Sequence, residues 1–186
     1  MASNYTGLGV QLMTTGEKAG LWGGLTNTNW DIMEQISGGY IAQDIAGGAG
    51  TTTLSVSDGS TGATLAHRII EFTGAITGNR IVTIPLDVQT FYILKNTTTD
   101  GSDAYTVEFK YVTGSGGSVT FAGGDRGTKI VYATANDATN PDIVDATSSF
   151  VTATSTTTLS NKTLTAPKFA DGGFIADTTG AETLVF

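Results

Sequence analysis

The chain has 186 residues, enough for one ordinary domain of about 100 to 150 residues with extended flanks, and too few for two full-sized ones. Cysteine is absent and histidine occurs once, which excludes disulfides and thiolate metal sites and leaves no imidazole cluster for a metal. Nine basic against seventeen acidic residues give a net charge of −8 with no block of either sign, which argues against a phosphate-tracking surface and against nucleic acid as a partner.

Residues 1 to 25 mix Gly, Thr and scattered apolar positions without a lasting period, so they read as an arm or irregular lead-in. The opening MASNYTGLG lacks the basic-then-apolar pattern of a secretion signal. A helix comes next. Asn27, Thr28 and Asn29 are able to cap its first N–H groups, Asp31 and Glu34 suit its positive end, and Gly38-Gly39 supplies the stop. Trp30, Ile32, Met33 and Ile36 share one broad apolar face. Two or three turns of helix are marginal in water by themselves, so this element needs something to dock on.

From Tyr40 the text changes to strands. Threonine fills 34 positions and only 14% of residues are charged, a composition that favours extended structure because β-branched side chains suit a pleated surface. Strands are predicted at 40–45, 51–57, 63–72, 80–84, 89–96, 104–112, 118–122, 128–134 and 142–146. Alternation is clean in the later ones, where Val107, Phe109 and Tyr111 point one way and Thr106, Glu108 and Lys110 the other. Asp58-Gly59, Thr77-Gly78-Asn79, the 100–103 loop, Gly114 to Gly117 and Gly123 to Gly127 read as tight turns. The longest apolar runs, such as RIIEF and FYIL, fall far short of the roughly 20 residues of a membrane helix, so no membrane is expected.

After Phe150 the chain becomes a Ser/Thr-rich stretch that reads as a linker or arm, then two short apolar segments, 173–176 and 182–186, flanking a Thr-Thr-Gly turn, which suit a hairpin. The expected organisation is a segment at 1–39 for attachment, a central β-domain at 40–148 and a linker with a terminal hairpin or arm at 149–186. The expected fold class is all-β: an antiparallel β-sandwich or jelly-roll-like domain with a short N-terminal helix and extended arms at both ends.

Catalytic and metal chemistry find little footing. His67, the lone histidine, sits within a predicted strand, and no Gly-x-Ser-x-Gly elbow accompanies it. The carboxylate pairs Asp100 with Asp103 and Asp142 with Asp145 fall in turns or at a strand end, where Asp serves turn geometry. The later oxygen ligands of a calcium loop are missing after Asp103, and no phosphate loop follows the Gly-rich turns. The sequence therefore predicts no catalytic, cofactor-binding or metal-binding residue, and no enzyme.

The segment from Gly16 to Ile36, GEKAGLWGGLTNTNWDIMEQI, resembles the opening segment of tail-fibre and appendage proteins of tailed bacteriophages. The runs EFTGAITGNRIVTIP, FYILKNTT, YTVEFK, DRGTKIVYA and IVDAT are similar to a recurring β-domain of marine phage structural proteins, and SNKTLTAPKFADGGFIAD to a linker and terminal segment of phage fibres. The resemblance implies a non-enzymatic virion protein of the tail, a tail fibre or fibre-attachment protein. It would dock on tail adaptor, portal or tube proteins and assemble as a homo-oligomer, with a trimer favoured. Many long fibres continue into a shaft and receptor-binding tip where this sequence stops at Phe186, so the expected role is attachment, connector or short fibre.

Leu21, Trp22 and Trp30 are large anchors close in sequence, and with Ile32, Met33 and Ile36 they form the predicted partner-docking set, since aromatic anchors dominate interfaces when they fill a pocket. Covering the base of the β-domain is the competing role for both tryptophans. A capsid-decoration or head-fibre protein is the alternative function. A glycan-binding module of the virion, reading a host surface sugar with Tyr92, Tyr105, Tyr111 or Tyr132, is the third.

Overall fold

The computed structural model describes residues 4–102, 104–135, 139–150, 174–176 and 182–185. The chain falls into two compact units, one through Ser149 and one from Phe150. The described residues are mostly β-structure with a single α-helix.

The first unit opens with a two-stranded antiparallel hairpin, β1 (Asn4–Tyr5) and β2 (Gln11–Leu12). This corrects the expectation of an arm or irregular lead-in over these residues. Leu8 at the hairpin tip packs on the main core, and the Gly9 carbonyl accepts the Gly59 N–H at 2.8 Å. Two backbone segments meet so closely there that a Cβ on Gly9 would strike the Ser57 carbonyl.

The helix α1 (Trp22–Gly38) starts six to eight residues earlier than the Asn27 to Asn29 caps predict. Its N-cap is Leu21, with no side-chain cap, and it stops at Gly39, which is extended and whose N–H donates to the Gln35 carbonyl. Asn29 has other work. Its Oδ1 accepts the Gln11 N–H at 2.9 Å and its Nδ2 donates to the Gln11 carbonyl at 3.0 Å, which clips β2 to the helix.

Two sheets make the body. β3 (Tyr40–Asp44), β5 (Ile69–Thr73), β7 (Gln89–Asn96), β10 (Thr128–Thr134) and β11 (Ile143–Asp145) form a five-stranded sheet in the order β11-β10-β7-β5-β3. β4 (Gly50–Thr53), β6 (Arg80–Ile84), β8 (Val107–Tyr111) and β9 (Val119–Phe121) form a four-stranded sheet in the order β4-β6-β8-β9. From β3 to β8 successive strands alternate between the sheets, and within each sheet they run parallel. The chain thus winds through three stacked rungs, β3-β4, β5-β6 and β7-β8. Only β9, β10 and β11 add antiparallel pairs.

The expected antiparallel pairing is therefore corrected for most of the body. The physical reason lies in the corners. Segments 45–49, 74–79 and 97–106 carry the chain across to the other layer, and they stack in turn through parallel bridges, Gly47 with Ile76 and Ala75 with Thr99. Gly74, at φ +103°, lies so close to the rung below that a Cβ would collide with Asp44 Oδ1.

The predicted strand at 63–72 is also corrected. Thr64–Ala66 is a single 3₁₀ turn that buries both Leu65 and Ala66, which a strand with alternating faces cannot do. β5 begins only at Ile69.

The inner faces of the two sheets contribute to one hydrophobic core. Phe72 from one sheet meets Phe109 and Phe121 from the other at centroid distances of 6.2 and 6.4 Å, and Tyr92 meets Phe109 edge-on at 6.1 Å. In the second unit, β12 (Phe174–Ala176) and β13 (Glu182–Val185) pair antiparallel with an irregularity after Ile175. The predicted Ser/Thr-rich linker lies, from 151 to 173, outside the described residues.

Candidate functional site

Helix α1 has 17 residues, and Ile32 is its one buried side chain. At about 100° per residue, Leu25, Thr28, Ile32, Gln35 and Ile36 share the half-buried side that faces the body. Trp22, Thr26, Met33 and Trp30 form a second stripe, roughly 80° to 160° around the helix from Ile32. Trp22 is 64% exposed, Trp30 67%, Met33 44%, and Leu21 just before the helix 65%.

Of the six predicted docking residues, the structure thus brings Trp22, Trp30 and Met33 together on one exposed stripe. Leu21 stands exposed at its start, Ile36 is half-buried, and Ile32 is core. Neither tryptophan covers the base of the β-domain.

The exposed stripe borders a groove. One cavity of about 310 Å³ is lined by Val10, Met13, Thr26, Asn29, Trp30 and Met33. An adjoining one of about 380 Å³ shares Val10 and Met33 and adds Leu8, Ile36, Asp87 and Gln89 among others. Leu12 and Met13 stand out beside it, 51% and 42% exposed. The Asn29 to Gln11 clip sets the groove's width, because it fixes the 10–13 segment against the helix. An apolar groove with a few polar groups at its edge suits an apolar segment of a partner chain.

A further cavity, about 680 Å³, lies at the other end of α1 and is lined by Asp31, Glu34, Gln35, Tyr40, Thr61 and His67 among others. His67 is buried, with its Nδ1–H donated to the Ala63 carbonyl at 2.9 Å. The Tyr40 hydroxyl donates a short hydrogen bond to the Glu71 carboxylate. That bond raises the Tyr40 hydroxyl above its usual pKa and, with a second from Thr97, holds the Glu71 carboxyl below the carboxylate range.

Asp100, Asp142 and Asp145, weighed as catalytic carboxylates, are each held by hydrogen bonds within the fold. Asp100 has a fully buried side chain; it accepts the Tyr105 N–H at 3.0 Å and pairs with Arg126 at 3.4 Å. Asp103 lies outside the described residues. Asp142 accepts the Gly117 N–H at 2.6 Å. Burial pushes the Asp145 carboxyl up, but bonds from the Thr147 hydroxyl and N–H and from Lys129 outweigh it and hold the group below the usual range. Among the described residues, no group of three or more His, Asp or Glu side chains is placed to hold a metal ion. Among them too, no helix is long and apolar enough to cross a membrane.

Of the tyrosines considered for sugar stacking, Tyr92 and Tyr111 are core residues whose hydroxyls bond to the Leu65 and Val88 carbonyls at 3.1 and 2.8 Å. Burial raises both hydroxyl pKa values. Tyr105 is half-buried, and Tyr132 stands out at 45% exposure.

Beside Tyr132 lies a feature that the sequence reading missed. Phe91 is its registered partner on β7 and is 49% exposed, and Val144 flanks it on β11. The Arg68 guanidinium lies 4.0 Å above the Phe91 ring. In the next row Tyr40, Ile69, Ile93 and Ile130 are in register across four strands on the outer face. A signal for this was present. With Tyr92, Leu94, Val131 and Ala133 inward, alternation sends Phe91, Ile93, Ile130 and Tyr132 outward. In comparisons with family models, curated proteins and solved structures, nothing matches this chain.

Proposed function

We propose that this chain is a non-enzymatic virion structural protein, a tail fibre or fibre-attachment protein of a tailed phage. It docks on the tail through α1 and assembles as an oligomer. The body is read as a two-layer β-sandwich, since two sheets share one aromatic core. The observation that carries the reading is the exposed stripe of Trp22, Trp30 and Met33 beside an apolar groove, on a helix that buries one residue of 17. Solvent gives no reason to keep two tryptophans outward, whereas a partner pocket does. The phage assignment rests on the resemblance of the Gly16 to Ile36 segment and of the strand runs, which also favours a trimer.

Cryo-EM localisation in an intact particle tests it. Density for α1 against adaptor, portal or tube chains is expected. Contact with the major capsid protein instead would move the chain to the head, as a decoration protein. The outer-face pair Phe91 and Tyr132 favours a second reading as a glycan-binding module, because adjacent exposed rings are stacking platforms. In that case a glycan array returns a ligand for the isolated chain, and Tyr132→Ala abolishes the signal.

A further inference from the structure

The first rung of the winding ends the body on one side, and there both sheets stop together: β3 is the edge of the five-stranded sheet and β4 the edge of the four-stranded one. In a parallel ladder each residue turns its N–H and C=O to the same side, so alternate residues bond to the one neighbour. The Gly39 carbonyl accepts from Ile69 and the Ile45 N–H donates to Thr73, so the odd-numbered residues of β3 face β5. Tyr40, Ala42 and Asp44 turn their backbone groups to the open side, and all three side chains are exposed. On β4, Gly50 donates to Asn79 and Leu54 to Thr83, which leaves Thr51 and Thr53 turned to the open side.

YIAQD and GTTT hold no Lys, no Pro and, within their ladders, no bulge; Asp44 is the one charged residue on either edge, and its carbonyl accepts the Gln43 Nε2–H at 3.0 Å. We propose that this end of the body is a twofold seam at which β3 pairs antiparallel with β3 of a second copy of the chain, about an axis through Ala42.

Side-chain size and charge both favour a second copy as the occupant. With Ala42 on the axis, the smallest outward side chain meets itself, where facing Cβ atoms stand only about 5 Å apart. Tyr40 then lies opposite the partner's Asp44, so the one charged residue of each edge faces a phenol rather than its own copy. The Asp44 carboxylate is already spoken for, since its Oδ1 accepts the Ala46 N–H at 2.9 Å. On the second layer the same kind of axis sets Thr51 opposite Thr53, a favourable cross-strand pair. The seam is isologous, and it stands independently of whatever α1 docks on and of any threefold assembly elsewhere.

The absence of cysteine makes the test direct. Ala42→Cys places a single thiol on the axis, where facing Cα atoms of a hydrogen-bonded antiparallel pair are about 5.5 Å apart, within disulfide reach. Thr128→Cys is the control, exposed on the same sheet but on the internal strand β10. Under mild oxidation at equal concentration, the Ala42→Cys chain is expected to form covalent dimer at least about ten-fold faster than the control, because pairing raises the effective thiol concentration. The wild-type mass by light scattering is expected to rise with concentration, and Ala42→Lys to lower the plateau by the factor of two that the seam contributes. Equal cross-linking rates, or a wild-type mass that stays at one chain throughout, overturn the proposal and leave the edge to a foreign strand.

Discussion

Single polar residues in this protein mostly hold loops in place, and Asp145 shows the cost of losing one. It sits at the end of β11, 16% exposed at the side chain, and collects the Thr147 N–H, the Thr147 hydroxyl and Lys129 Nζ at 2.8, 2.5 and 3.1 Å. These contacts favour the ionised form and lower its folded-state pKa below the unfolded value. Their stabilisation is therefore complete above the unfolded pKa of about 3.9 and is lost as pH falls through the lower folded value. Asp145→Asn keeps the shape and removes the charge, so it is expected to cost about 1 to 2 kcal/mol at neutral pH. In paired urea melts the gap between wild type and variant should close as the pH drops below about 4. A gap that persists unchanged in acid would show that shape, not charge, carries the effect. Asp145 illustrates what the sequence could tell: that Asp here serves turn geometry was legible, whereas the Lys129 partner, 16 residues away, depends on register.

At the scale of elements, legibility followed the strength of local pattern. The faces of β8 were readable, because Val107, Phe109 and Tyr111 alternate without exception and all three are buried, although the strand begins three residues later than predicted. The helix was placed correctly at its end and misplaced at its start. Asn29 has the chemistry of a cap, but a tertiary partner, Gln11, competes for it and wins. The six predicted docking residues likewise divide by a quantity that no local pattern gives, the direction in which the helix is laid on the body. This division makes a prediction. Ile32→Ala should cost about 2 to 5 kcal/mol for the helix and its clip, as loss of a fully buried aliphatic side chain does. Trp30→Ala should change stability by no more than about 0.5 kcal/mol, as at an exposed site. Hydrogen exchange of α1 amides in the isolated chain separates the two. A large loss of protection in Trp30→Ala would mean that the ring packs on its own chain and would remove the docking surface.

For the molecule as a whole, the all-β character was legible and the pairing was not, since a short Gly-rich connection looks the same whether it turns back beside its strand or crosses to the other layer. The crossing has an energetic consequence. Because β3 to β8 alternate between layers, no rung can form half of its contacts without the other half, and Phe72, Phe109 and Tyr92 interlock across the layers. Phe109→Ala should then cost about 3 to 5 kcal/mol, a large part of the roughly 5 to 15 kcal/mol that holds a domain. More tellingly, the loss should appear equally in both sheets, although Phe109 belongs to one. Native-state hydrogen exchange reads this at Leu94 in the five-stranded sheet and Val82 in the four-stranded sheet, both fully buried. Equal drops in protection mean one cooperative body. A drop confined to Val82 would mean that the layers open separately, and that the winding does not couple them.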